Sequence, residues 1–185
     1  LPMKLRLLFF TLISLASMAN AQLFKVSDQG AILSNISTEQ RCVLDDQSKL
    51  VWEVKLRSKG LQSAKNTYTW FDGKSGVQNG DYSHNCHWAD SCNTQAYIKA
   101  INTLELCQKK KWRLPTQVEL KTLLLYGDND LLINQQFFPN TQLKSYWSSN
   151  ELSRDIAIDV PFYYGGSQSA DKSFDAYVRL VSDAH

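Results

Sequence analysis

Hydrophobic and polar positions alternate in short stretches along this chain and recur at helical spacing in two longer ones, which predicts many short strands and two helices. The stretch from Trp112 to Leu125 organises the rest. Pro115 stops a short buried strand and pushes Leu114 into extended backbone. Thr116 is placed to cap the following turn, and Glu119, three residues on, completes a capping box. Leu120, Leu123 and Leu124 then give that helix one apolar face, with Gly127 as its expected stop. Upstream, Asn93 is expected to cap a helix from Thr94 to Leu106 that carries Ala96, Tyr97, Ala100, Ile101 and Leu104 on one side.

The remaining pattern is of strands and loops. Cys42-Val43-Leu44, the turn Asp45 to Ser48, and Leu50 to Val54 read as a β-hairpin. Gln22 to Gln40 reads as a leader strand or linker, and Gly60 to Lys65 as a connection with room for a helical turn. Thr67 to Phe71 has strand composition, whereas Asp72 to Asn85 is rich in loop formers. Asp128 to Pro139 reads as irregular. Ser145 to Ser149, Ile156 to Phe162 and Ala176 to Val181 are the late strands, with Tyr163 to Phe174 as a loop between the last two. Two helices among short, mostly antiparallel strands indicate an α+β domain.

Composition adds location. Leu1-Pro2 precede the expected start at Met3; Met3 to Arg6 is basic, Leu7 to Ala16 is apolar, and Ala19-Asn20-Ala21 offers small residues to a peptidase. This is the pattern of a secretory signal peptide, 1–21, cut before Gln22. Its apolar run falls short of the roughly 20 residues needed to span a bilayer. The expectation is an exported protein, periplasmic or released and not membrane-spanning, with a leader at 22–40 and one domain at 41–182. Loss of Lys4 and Arg6 leaves 18 basic and 18 acidic residues, so no global charge argues for nucleic acid.

Cys42, Cys86, Cys92 and Cys107 make an even set in an exported chain, which reads as two disulfides. Of three pairings, the expected one is Cys86–Cys92, closing a short loop, with Cys42–Cys107 tying the first strand to the end of a helix. The rival is a metal site built from His84, Cys86, His87 and Cys92; its spacing matches no common zinc finger, and no metal or cofactor is expected.

Several blocks occur in a set order: Arg41-Cys42-Val43-Leu44-Asp45, Leu50-Val51-Trp52-Glu53-Val54, Trp112-Arg113-Leu114-Pro115-Thr116 with Glu119-Leu120, Phe138-Pro139-Asn140-Thr141, Tyr146-Trp147-Ser148-Ser149 and Tyr177-Val178-Arg179-Leu180-Val181. In these the chain resembles the Lcl C-terminal domain family, bacterial domains found at the C-terminus of a collagen-like adhesin. The resemblance implies a C-type-lectin-like fold related to the sulfatase-modifying factors, and adhesion through sulfated polysaccharides. No Gly-X-Y repeat precedes the domain in this sequence, so the trimerising stalk does not carry over. The related oxidases use C-terminal cysteines, and none follows Cys107 here. The Glu-Pro-Asn or Gln-Pro-Asp triplets and Trp-Asn-Asp strand of calcium-dependent lectins do not occur either.

Candidate residues follow. Trp52, Trp112 and Trp147 are expected in the core, and Arg113 and Arg179 are expected to pair with carboxylates such as Glu119 or Asp159. Lys109, Lys110 and Lys111 form the one basic run and a candidate anion patch, although cations also suit a helix C-terminus. The loops Asn150 to Asp155 and Tyr163 to Phe174 lie where lectin-like folds place their binding surface; Arg154, Tyr163, Tyr164, Lys172 and Phe174 are the candidate ligand-binding residues. Gly165-Gly166 reads as turn chemistry, and Asp128-Asn129-Asp130 as a plain turn without the remaining ligands of a calcium loop. No nucleophile motif accompanies His84, His87 or His185. The expected function is therefore a non-catalytic domain recognising a glycan or a surface partner, the alternative being a protein-interaction or structural module, such as an appendage subunit or an inhibitor.

Overall fold

A computed structural model gives the structure of the protein and describes residues 22–78, 86, 88–89, 92–126 and 131–185. The expected signal peptide, His84, His87, Gly127 and the Asp128-Asn129-Asp130 turn lie outside the described residues.

The hairpin forms as its alternation predicts: β2 (Cys42–Asp45) pairs antiparallel with β3 (Leu50–Glu53). Asp45 fixes the turn, its carboxylate accepting from the backbone N–H groups of Gln47 and Ser48. The N-terminal segment is a strand: β1 (Leu23–Val26) joins β2, while β9 (Val181–Asp183) closes the other side of β3. The sheet order is β1-β2-β3-β9. Both faces of β3 are buried, because Val51 faces one core group and Leu50 and Trp52 face another. A strand covered on both sides can be apolar throughout, and β3 is buried at all four positions.

Helix α1 (Thr94–Leu104) starts at Asn93, whose side chain accepts from Ala96 N–H. It ends two residues before the expected Leu106, because Glu105 takes a left-handed conformation with φ 52°. That reversal drops Leu106 and Cys107 into the core through a single 3-10 turn, Leu106–Gln108, where Cys107 meets Cys42. Cys86 pairs with Cys92.

Helix α2 (Gln117–Thr122) carries the predicted capping box between Thr116 and Glu119. It is much shorter than the leucine spacing suggests, because β4 (Leu124–Tyr126) pairs with β5 (Leu131–Ile133) in the segment expected to be irregular. A run of three leucines satisfies either period, and the backbone partner decides. Leu120, Leu123 and Leu124 are buried either way, against Ile133, Phe137 and Phe138.

The third sheet has the order β6-β7-β8, all antiparallel. It comprises β6 (Ser145–Glu151), β7 (Ile156–Pro161) and β8 (Gln168–Asp171), the last falling inside the expected loop. The expected strands Thr67–Phe71 and Ala176–Val181 give isolated bridges instead, Tyr68 with Ala176 and Tyr177 with Tyr146, and of the second only Val181 enters a strand, β9. The architecture is α+β with mostly antiparallel strands. Among the described residues no helix is long and apolar enough to cross a membrane.

Candidate functional site

A cleft of about 590 Å³ opens where four distant segments meet at the Ser145 end of the third sheet. Lys144 and Ser145 enter β6 beside Tyr163, because the Phe162 N–H donates to the Lys144 carbonyl (2.9 Å). Tyr177 is held alongside by its N–H to the Ser145 carbonyl (2.9 Å). Thr67 reaches the same place by donating to the Asp175 carboxylate (2.7 Å), and Lys65 lines the wall two residues before it. Lys65 and Lys144 are exposed, as is the Tyr163 ring at 53%. Burial, with Asp175 nearby, pushes the Tyr177 hydroxyl above the ordinary tyrosine value, so it stays a neutral donor at physiological pH.

Behind Tyr163 stands Tyr164, edge-on with ring centroids 5.0 Å apart. The Tyr164 hydroxyl donates to Gln168 Oε1 (3.2 Å). The Gln168 amide in turn donates to Ser145 Oγ and Asp159 Oδ2, both at 3.2 Å. Asp159 is buried, which raises its carboxyl pKa against the hydrogen bonds from Gln168 and Ser145.

The structure divides the five expected ligand-binding residues. Tyr163 and Tyr164 belong to this end. Arg154 sits in the β6–β7 turn at the other end, and seven-residue β6 separates the two by roughly 20 Å. Phe174 lies on the segment that returns from Asp171, paired with Ile156 at that far end, to Asp175 of the cleft. Lys172 corrects the expectation outright, being fully buried. Its ammonium donates to Glu151 Oε2 (2.6 Å), Ser75 Oγ (3.0 Å) and the Arg154 carbonyl (3.0 Å), and lies 4.1 Å over the Trp70 ring. It is an internal clamp on three loops, because a cation that leaves water needs this many partners.

The basic run is divided too. Lys109 donates to the Ala184 carbonyl, Lys110 pairs with Glu105 (2.9 Å) on the surface, and Lys111 is exposed. The three border a cleft of about 360 Å³ together with Asp183, so the patch is not purely cationic. Lys65, Thr67, Lys144, Asp175 and Tyr177 were missed from sequence because they converge only on folding; Thr67 and Asp175 are 108 positions apart.

The ordered sequence blocks do different work. Glu53, fully buried, accepts from Lys55 Nζ (3.0 Å), the Leu180 N–H (3.1 Å) and the Tyr97 hydroxyl. Arg179 pairs with none of the expected carboxylates; it donates to the Glu53 carbonyl (2.7 Å) and Thr141 Oγ1 (2.8 Å), and lies 5.1 Å from the Phe138 ring centre. Asn140 donates to the Lys55 carbonyl (3.2 Å). Desolvation lowers Lys55 to about 8, partly offset by Glu53. Arg113 does meet Glu119, through two hydrogen bonds of 2.8 Å. Trp147 donates to the Tyr68 carbonyl (2.7 Å), and Ser148 to that of Ile158 (2.7 Å).

Residues 41–182 match the family model of the Lcl C-terminal domain. The chain belongs to that family. A comparison with curated proteins finds no match. In this member of the Lcl C-terminal domain family, the ordered blocks converge on buried hydrogen bonds, and of their residues only Tyr177 also lines the cleft. The blocks therefore specify the scaffold, and the cleft is built mostly from residues between them.

Proposed function

We propose that the protein is an exported, non-catalytic binding domain of C-type-lectin-like architecture that holds a glycan in the cleft beside Tyr163. The observation that carries this reading is the composition of the cleft: an exposed aromatic ring and two exposed lysines, with the Asp175 carboxylate tied to Thr67, in a volume within the 300–1,000 Å³ range of ligand sites. A tyrosine face stacks on a sugar ring, hydroxyls fix its orientation, and Lys65 and Lys144 suit the sulfate or carboxylate of an acidic polysaccharide. The meeting of the first strands with the last in one sheet supports the lectin-like assignment. Two disulfides suit an oxidising compartment and support export, to the periplasm or beyond.

The test is a glycan array that includes sulfated polysaccharides, run at low and physiological salt. Binding should persist at physiological salt and fall about tenfold or more in Tyr163→Ala and Lys144→Ala, the loss of about 1.4 kcal/mol or more expected for a central contact. Binding that disappears with salt is screened surface attraction and overturns the reading. A second reading, docking on a protein partner, is favoured by Leu152 and Phe174, 66% and 54% exposed. Silence on the array with stable co-purification of one protein would establish it.

A further inference from the structure

We propose that Tyr164, Gly166 and Gln168 are positioning residues that hold Tyr163 and Ser145 in their cleft-facing arrangement without touching the ligand. The proposal rests on the glycan reading for its effect on affinity, and on geometry alone for its effect on the cleft.

The turn after β7 is tight: Gly165, at φ +74°, sends its N–H back to the Pro161 carbonyl (2.8 Å). The Tyr164 ring then folds over Gly166. A β-carbon at position 166 would lie 2.2 Å from Tyr164 Cε2 and 3.0 Å from Cδ2, so the ring occupies the space a side chain would take. Three contacts fix that ring. Its Cε2 edge abuts Gly166, its hydroxyl is bound by Gln168, and it meets Tyr163 edge to face with an interplanar angle of 72°. Gln168 is the pivot, because one amide uses its oxygen toward Tyr164 and its nitrogen toward Ser145 and Asp159. Asp159 and Ser145 lie on β7 and β6 of the same sheet, so the chain of bonds runs from a rigid strand pair out to an exposed ring. Side chains held this way lose less freedom when a ligand binds.

Gly166→Ala is the informative variant. Its backbone is outside the left-handed region, and the atom it strikes is the end of a half-exposed side chain, so the ring swings outward and the fold survives. An edge-to-face pair is worth enough that its loss should weaken binding roughly three- to tenfold.

The experiment places 3-fluorotyrosine at position 163 and records its fluorine NMR spectrum in the otherwise unchanged protein. The same variants are titrated with heparin at physiological salt. Gly166→Ala and Gln168→Leu should shift the resonance and lower heparin affinity together. Gln168→Glu keeps an acceptor for the Tyr164 hydroxyl but loses the donor to Ser145 and sets a carboxylate against Asp159, so it should shift the resonance as well. Val118→Ala on α2 should change neither. An unchanged resonance in both Gly166→Ala and Gln168→Leu overturns the proposal whatever heparin does. A shifted resonance with unchanged heparin affinity also overturns it. If the unmutated protein ignores heparin, that ligand is wrong for the cleft, and the fluorine shifts alone decide the positioning.

Discussion

At the scale of single residues, the decisive groups are buried charges. Glu53 sits between Lys55 and Arg179 with its carboxylate shared by Lys55, Tyr97 and the Leu180 N–H. Glu53→Ala should cost about 3–5 kcal/mol in urea unfolding, because it strands the buried Lys55 ammonium. Lys55→Met should cost less, since Glu53 keeps the Tyr97 and Leu180 bonds. Such roles were only partly readable from sequence. Arg113 with Glu119 lay within one local block, and its pairing was legible. Arg179 carries a charge that predicts a carboxylate partner, yet it is satisfied by the Glu53 carbonyl and Thr141, 126 and 38 positions away. Lys172 departs from expectation for a related reason. A lysine in a polar loop reads as solvated, and nothing local announces that Glu151, Ser75 and Trp70 will surround it.

At the scale of elements, caps were more legible than lengths. Asn93 and Thr116 both cap as their side chains dictate, because a cap is a contact between near neighbours. Both helices stop early for non-local reasons: α1 turns to deliver Cys107 to Cys42, and α2 yields to the β4–β5 pairing. The two disulfides should differ in weight accordingly. Cys42–Cys107 spans 65 positions and Cys86–Cys92 spans 6. By loop-closure entropy, removing the first by paired alanine substitution should cost about 4 kcal/mol and removing the second about 2 kcal/mol. Thermal unfolding of the two double variants checks the order, and equal losses would show that native-state contacts outweigh the loop term.

At the scale of the whole molecule, the buried network should give stability an alkaline optimum. The folded state holds Lys55 near 8, against 10.5 for the unconstrained side chain. Between those values the unfolded chain binds more protons, so this group makes stability rise with pH from about 8 to 10.5. Tyr68 and Tyr97 act in the opposite sense, since burial raises both above 10. Above pH 10 the unfolded chain loses those protons first and stability falls. Unfolding measured from pH 7 to 11 should therefore pass through a maximum, and Lys55→Met should erase the rising limb while keeping the fall. The sequence by itself determined the fold class, the early hairpin, both helix starts and membership of the Lcl C-terminal domain family, because alternation, capping and the ordered blocks are written in neighbouring residues. Only the tertiary structure decided where α1 and α2 end, that Lys172 is inside, and that Lys65, Lys144, Tyr163 and Tyr177 share one cleft. Those outcomes depend on which strand edges pair and which cation finds enough partners to leave water, and both are settled by residues far apart in the chain.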